Sequence, residues 1–113
     1  MTLLKNIDVI NDYYSSHGYI MNSTPKYKHN GEIEIYEFRK NIELANGTLI
    51  NICINAEHSI YKNISSWCHA IFINNEVAYD GGHIFDNKDS YLNELEDVID
   101  TIKSIIDDLK NEK

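Results

Sequence analysis

Arginine is nearly missing from this sequence: Arg39 is the only one in 113 residues, and ten basic side chains face eighteen acidic ones. Binding to nucleic-acid phosphates depends on Lys and Arg, and arginine is the side chain that binds phosphate through two parallel hydrogen bonds. An anionic membrane surface likewise attracts basic segments. With a formal net charge of -8, the chain is therefore not expected to bind nucleic acid or a membrane surface.

Cysteine, proline and long apolar runs are also scarce. The two cysteines, Cys53 and Cys68, are typical of a reduced intracellular protein, and no CxxC, HExxH or similar spacing predicts a zinc site. No apolar stretch approaches the ~18 residues of a membrane helix. Asp8 and Asp12 interrupt the first apolar stretch, which a secretory signal would keep uncharged. We therefore expect a cytoplasmic protein without a metal or other cofactor.

Motifs that would carry a reaction are missing as well. There is no GxSxG, and no basic residue follows Gly81-Gly82 to make a phosphate-binding loop. The segment from Glu37 to Lys40 matches a nuclease carboxylate-and-lysine pattern only in part, because no Asp precedes it at a strand end. The neighbours Cys68 and His69 would face opposite sides of a strand and cannot share one metal ion. We expect that the protein is not an enzyme.

The residues that are present suffice for one packed core. Hydrophobic residues make up 42% of the chain and aromatic residues 11%, so residues 1–113 are expected to form a single domain. Leu3, Ile7, Ile10 and Tyr14 recur at helical spacing, which predicts a helix from about residue 3 to residue 16. Gly18 is placed to adopt the left-handed conformation just after this helix.

A second, longer helix is predicted at the C-terminal end. Asp89 or Ser90 is suited to cap its start, and it should end near residue 109 or 110. Its apolar residues fall at steps of three and four along the chain: Leu92, Leu95, Val98, Ile99, Ile102, Ile105, Ile106 and Leu109. This spacing gives the helix one broad apolar face that must pack against something.

Alternating polarity predicts strands between the two helices. The strands are expected at residues 32–38, from about residue 50 to residue 55, at 67–73 and, as a short strand, at 77–79. Asn46-Gly47 predicts a hairpin, and Asn74-Asn75 a second turn. Residues 22–31 are expected to be a loop or an irregular edge strand. The aromatic side chains of the strands, Tyr36, Phe38, Trp67 and Phe72, are expected in the core.

The order of these elements predicts an α+β fold. We expect an antiparallel sheet of three to four strands, with the N-terminal helix and the long C-terminal helix packed on one face (α-β-β-β-(β)-α).

Negative charge is concentrated in the last third of the chain. Residues 74–113 contain eleven acidic and four basic residues, whereas residues 1–73 contain seven and six. Off the apolar face of the C-terminal helix lie Glu94, Glu96, Asp97, Asp100, Asp107 and Asp108. Asp107 and Asp108 oppose the helix dipole near its C-terminus, where cations would stabilise it. These acids form either an ordinary solvated face or a surface that binds a basic partner; we predict partner contacts at 94, 97, 100, 107 and 108.

The segment from Tyr79 to Asp86 is a second candidate. Its two glycines predict a loop, and loops often carry binding residues. Asp80, His83 and Asp86 have the chemistry for acid–base work or metal binding, although no second cluster completes such a site. Tyr79 and Phe85 are aromatic residues of the type enriched at interfaces. We predict a protein contact through Tyr79, Asp80, His83, Phe85 and Asp86, with a plain glycine turn as the alternative.

Taken over the whole chain, this profile resembles the immunity proteins of bacterial toxin systems, including contact-dependent inhibition. The features that carry the resemblance are the small size, the acidic charge of residues 94–108 and the α/β pattern. It implies a cytoplasmic inhibitor that neutralises a basic toxin, most often a nuclease domain. We expect a basic protein partner and a monomer or weak dimer.

Three other functions agree with the same residues. A phage anti-defence protein, such as an anti-CRISPR inhibitor, would use the same acidic surface on another basic target. A small metal-dependent enzyme would need Asp80, His83 and Asp86 to converge. An oligomeric module would use the broad apolar face of the last helix as a helix–helix seam.

Overall fold

The computed structural model describes residues 7–22, 24, 26–28, 30–59, 65–85 and 94–111, which form two helices and one antiparallel sheet. Helix α1 spans Ile7–Ser16 and helix α2 spans Leu95–Asn111. The strands are β1 (Ile20–Met21), β2 (Lys26–Lys28), β3 (Ile33–Glu43), β4 (Leu49–Ser59), β5 (Ser65–Ile73) and β6 (Glu76–Phe85). The predicted α+β class is confirmed.

The sheet is a meander of four long strands with two short strands at one edge. β3, β4, β5 and β6 lie side by side in chain order, and β1 and β2 both pair with the remaining side of β3. All pairings are antiparallel. The predicted three to four strands correspond to the long ones, and β2 lies in the segment expected to be a loop or an irregular edge strand. β6 extends well beyond the predicted residues 77–79.

Helix α1 ends in a Schellman motif, in which Gly18 has the predicted left-handed conformation (φ 89°). The Gly18 N–H donates to the Ser15 carbonyl at 3.0 Å, and the Tyr19 N–H donates to the Tyr14 carbonyl at 3.1 Å. The Tyr14 and Tyr19 rings pack with their centroids 6.0 Å apart. This cap ends the helix and leads the chain directly into β1. The predicted start of the helix, at residue 3, lies outside the described residues.

Both predicted hairpins form, but they use different turns. Asn74 (φ 50°) and Asn75 (φ 71°) are both left-handed and join β5 to β6 as a two-residue loop. At Asn46-Gly47 only the glycine is left-handed (φ 86°). The Leu44 N–H donates to the Thr48 carbonyl at 2.9 Å, so three residues, 45–47, form this loop. That extra residue sets the register of β3 on β4.

Helix α2 contributes its apolar face to the core. The Val98 N–H donates to the Glu94 carbonyl at 3.0 Å, which closes the first helical turn. The predicted caps, Asp89 and Ser90, lie outside the described residues. The buried core lies between the two helices and one face of the sheet: Ile7, Ile10, Tyr14, Tyr19, Tyr36, Phe38, Ile50, Ile52, Ile54, Ala56, Ile71, Leu95, Val98, Ile99, Ile102 and Ile106.

The aromatic residues of the sheet divide between its two faces. Tyr36 and Phe38 are buried in the core as predicted, and Trp67 packs at its margin. The prediction that Phe72 belongs to the core is wrong. It pairs with Asn51 and lies on the opposite face, which we call the far face because α1 and α2 do not pack on it.

Candidate functional site

The outward side of α2 is an acidic surface. Its five acidic side chains are all exposed: Glu96, Asp97, Asp100, Asp107 and Asp108. Glu94, just before the helix, is half-buried. Because an α-helix repeats about every 3.6 residues, Asp97 and Asp108 lie on one line of the helix, and Asp100 and Asp107 lie on a neighbouring line. Four of the five predicted contact residues therefore share one solvent-facing surface with Glu96, and Glu94 is not part of it. This surface is here called the α2 acidic surface (Glu96, Asp97, Asp100, Asp107 and Asp108).

The two lysines of α2 lie at the margin of this surface. Lys103 and Lys110 line a cleft of about 260 Å³ toward the sheet, together with Lys40 of β3. The Lys40 ammonium donates to the His17 carbonyl at 2.7 Å and lies 5.5 Å from the Tyr19 ring centroid. Burial, together with the like charges of Lys103 and Lys110, lowers the pKa of Lys40. The lysines of α2 thus lie beside another cation, and of the five acids only Asp107 lines the same cleft.

Two acids on the sheet, Glu37 and Glu57, differ from those of α2 because basic side chains pair with them. On the far face, Glu37 accepts from Arg39 Nε at 2.9 Å and from Lys26 Nζ at 3.3 Å. Glu57 lies 3.6 Å from Lys28 Nζ. Hydrogen bonding from Arg39, assisted by Lys26, lowers the pKa of Glu37. In contrast, no side chain of the α2 acidic surface forms an ion pair with another residue that the structure describes.

The segment from Tyr79 to Phe85 is a strand, so the prediction of a loop here is wrong. Each of its residues pairs with β5, from Tyr79 opposite Ile71 to Phe85 opposite Ser65. An extended strand rises about 3.3 Å per residue, which puts positions 80 and 83 roughly 10 Å apart along it. The residues are therefore strung out along an edge and do not form the compact cluster that a loop would make. Asp86 lies outside the described residues.

The two glycines of this strand allow β5 to approach it closely. A Cβ built on Gly82 would lie 2.7 Å from the Trp67 carbonyl oxygen, and one on Gly81 would lie 3.0 Å from Cε1 of the His69 ring. Neither glycine has a positive φ. The narrow space between β5 and β6 accounts for both glycines, because a larger side chain at either position would collide with β5.

The cysteines and His69 do not assemble a metal site. Cys53 and Cys68 are free and lie on neighbouring strands. Burial raises the pKa of Cys53 to about 11 and also raises that of Cys68, so both are thiols at neutral pH. His69 stacks on Trp67 with ring centroids 5.4 Å apart. Among the described residues, no three His, Cys, Asp or Glu side chains are grouped to hold a metal ion.

A buried polar cluster, which the sequence analysis did not single out, lies on the helix-facing side of the sheet. Glu34 Oε1 is 3.0 Å from His58 Nε2 and accepts from the Tyr36 hydroxyl at 3.1 Å. Glu34 Oε2 accepts from the Tyr27 hydroxyl at 3.1 Å. The side chains of Glu34 and His58 are fully buried. The hydrogen bond to Glu34 raises the pKa of Tyr27, and burial raises that of Tyr36.

Two features of the sequence point to this cluster. The isoleucine alternation of β4 continues through Ala56 to His58, which places His58 on the buried face. In β3 the apolar alternation changes phase between Ile35 and Tyr36, so Glu34 shares a face with Tyr36. The two side chains come together only because the register pairs Glu34 with His58. Because Glu34 and His58 are fully buried, we assign this cluster a structural role. The α2 acidic surface is the candidate binding site that is exposed to solvent.

Comparison with known proteins does not indicate a function. The chain matches no protein-family model, no curated protein and no solved structure. Neither of the helices in the described part of the chain has the length and apolarity needed to cross a bilayer.

Proposed function

We propose that this protein is an acidic inhibitor of the immunity type, which binds a basic protein in the cytoplasm through the α2 acidic surface. The observation that carries the proposal is the contrast between two sets of carboxylates. Glu37 and Glu57 on the sheet have basic partners within the chain, whereas the five acids of α2 have none among the described residues. A surface whose charges have no ion-pair partner among the residues that the structure describes is suited to receive matching charges from another molecule.

The arrangement of these acids supports binding more than stability. Like charges three or four residues apart on a helix cost a few tenths of a kcal/mol per pair. Asp108 lies in the last turn of α2, where the helix dipole favours cations. A partner that supplies Lys or Arg removes both costs on binding. The field of the surface also steers a basic partner and raises the association rate.

The chemistry of the surface favours a nucleic-acid-processing enzyme as the partner. A nuclease domain is basic where it grips phosphate groups, and a row of carboxylates occupies such a cleft by imitating that charge. A toxin nuclease neutralised by its immunity protein is the form of this interaction that we propose. The protein itself performs no reaction in this scheme.

Affinity capture tests the proposal directly. The tagged full chain is used to capture partners from its native cells at low salt and again at about 0.5 M salt, where charges more than a few ångströms apart are screened. We expect one dominant basic protein whose recovery falls at high salt. A toxin nuclease among the captured proteins supports immunity, whereas a defence nuclease supports the anti-defence alternative. A monodisperse protein that captures no basic partner contradicts the proposal.

Two variants of equal charge locate the binding surface. The triple variant D97N/D100N/D108N removes three charges from the α2 acidic surface. The matched variant D8N/D12N/E43Q removes three exposed charges from α1 and β3. Calorimetric titration with the captured protein should show at least ten-fold weaker binding for the first variant and little change for the second. Equal weakening would assign the effect to net charge and remove this surface from the proposal.

A further inference from the structure

The two edges of the sheet are built differently. At one edge, β1 has two residues and β2 has three, and Lys26 and Lys28 begin and end β2. Short length and lysine side chains are the usual means by which proteins prevent an edge strand from pairing with another chain. At the other edge, β6 has ten residues and pairs with β5 along one side. No strand in the described part of the chain pairs with its other side.

Strand β6 lacks two of the usual protections of an edge, lysine and proline. The sequence from Glu76 to Phe85 contains no Lys and no Pro. The register irregularity lies near its start, opposite Ile71 and Phe72, and pairing is regular from Tyr79 to Phe85. All side chains from Glu76 to Gly82 are exposed, with Val77 at 60% and Tyr79 at 38%. A regularly paired edge without Lys or Pro is a template for strand addition.

The side chains of β6 indicate which partner fits. Tyr79 and Val77 offer apolar contacts on opposite faces of the strand, since they pair with Ile71 of the core and with Phe72 of the far face. Glu76 and Asp80 are exposed and supply negative charge, and the strand has no Lys or Arg to offset it. Gly81 and Gly82 leave the backbone beside Asp80 uncovered by side chains.

We propose that β6 accepts an extended segment of a basic protein as an additional strand of the sheet. Main-chain hydrogen bonds would supply most of the contact, with Lys or Arg of the segment near Asp80 on the far face and an apolar side chain against Tyr79 on the other face. A second copy of the chain fits less well, because it would bring the same acids to the interface and a further net charge of -8. This surface is separate from the α2 acidic surface and does not depend on it.

A pair of synthetic peptides tests strand addition to the full chain. The probe is a fluorescent nine-residue peptide of alternating lysine and valine. Its control has the same side chains and charge but is N-methylated at every backbone amide, so neither of its edges can donate the hydrogen bonds of a ladder. Fluorescence anisotropy should show at least ten-fold weaker binding of the N-methylated peptide. Equal affinity of the two peptides would mean that charge alone binds them and would overturn the proposal.

Hydrogen exchange measured by NMR locates the bound peptide. We expect slowed exchange at amides of β6 with the probe peptide and no such slowing with the N-methylated one. Asp80→Asn should weaken binding of the probe several-fold, whereas D97N/D100N/D108N should keep the slowed exchange at β6. Protection confined to α2, or a stable dimer of the free protein in sedimentation with β6 already protected, would overturn the proposal. The peptide and hydrogen-exchange experiments do not use the captured protein, so the two proposals are tested separately.

Discussion

Glu34 Oε1 lies 3.0 Å from His58 Nε2, and neither side chain has any exposed surface. The two residues are opposite each other on β3 and β4. Around them, Tyr27 and Tyr36 donate their hydroxyl hydrogens to the same carboxylate. A buried carboxylate that loses water needs several such partners. The pair therefore anchors the end of the β3–β4 hairpin, and through Tyr27 it holds the short strand β2 against the sheet.

Glu34→Ala should destabilise the protein by about 3 kcal/mol, because it leaves His58 and two tyrosine hydroxyls without their buried acceptor. Urea unfolding followed by circular dichroism measures the change. Glu43→Ala, at an exposed position of the same strand, is the control and should change stability by less than about 0.5 kcal/mol. Equal effects of the two substitutions would contradict the structural role of the cluster.

His69 should make stability depend on pH. Burial lowers the pKa of His69 below its usual 6.5, so the unfolded chain binds a proton more readily than the folded one. The folded state therefore loses stability as pH falls below the unfolded pKa. His69→Phe removes this titration and keeps a ring beside Trp67. The difference in unfolding free energy between about pH 7.5 and about pH 5.5 should be smaller in the variant; an unchanged difference contradicts the assignment.

Gly82→Ala should cost about 2 kcal/mol, because its Cβ would lie 2.7 Å from the Trp67 carbonyl oxygen and the backbone must shift. Gly81→Ala is the matched control, since its Cβ meets the end of the His69 ring at 3.0 Å and a side chain gives way more easily. In thermal unfolding, the melting temperature of Gly82→Ala should be lower than that of Gly81→Ala. The reverse order would show that β5 and β6 do not approach closely at Gly82.

Asp108→Lys should stabilise the free protein while it weakens partner binding. The substitution removes a like charge and places a cation in the last turn of α2, which together contribute about 0.5 kcal/mol. Chemical unfolding measures stability, and titration with the captured partner measures affinity. A variant that is more stable and binds equally well would argue that the acid at position 108 has no part in binding.

Cys53 should react slowly with thiol reagents. A pKa of about 11 leaves a very small thiolate fraction at neutral pH, and the thiolate is the reactive form. We expect labelling of Cys53 by a disulfide reagent to be about 100-fold slower than for a free cysteine. Cys68→Ser isolates the Cys53 signal, and the urea-unfolded variant gives the unprotected rate. Rapid labelling of the folded variant would show that Cys53 is accessible.

The hairpin at Asn46-Gly47 shows where prediction from the sequence stops. The dipeptide predicts the turn correctly, but a two-residue loop would pair Glu34 with Ser59. The observed three-residue loop pairs Glu34 with His58 instead. A shift of one residue exchanges the two faces of a strand, so the buried cluster depends on a detail of the turn that the dipeptide alone does not specify.

The amino-acid sequence by itself determined the two helices, the Gly18 cap, the antiparallel class and the acidic surface of α2. Each of these depends on neighbours within a few residues, through helical or alternating periodicity and side-chain charge. Only the tertiary structure decided that Asp80–Phe85 is a strand, that Phe72 lies on the far face and that Glu34 meets His58. Those outcomes depend on pairing between distant segments. There, hydrogen bonding to β5 outweighs the local preference of Gly81-Gly82 for a turn, and the register decides which side chains are buried.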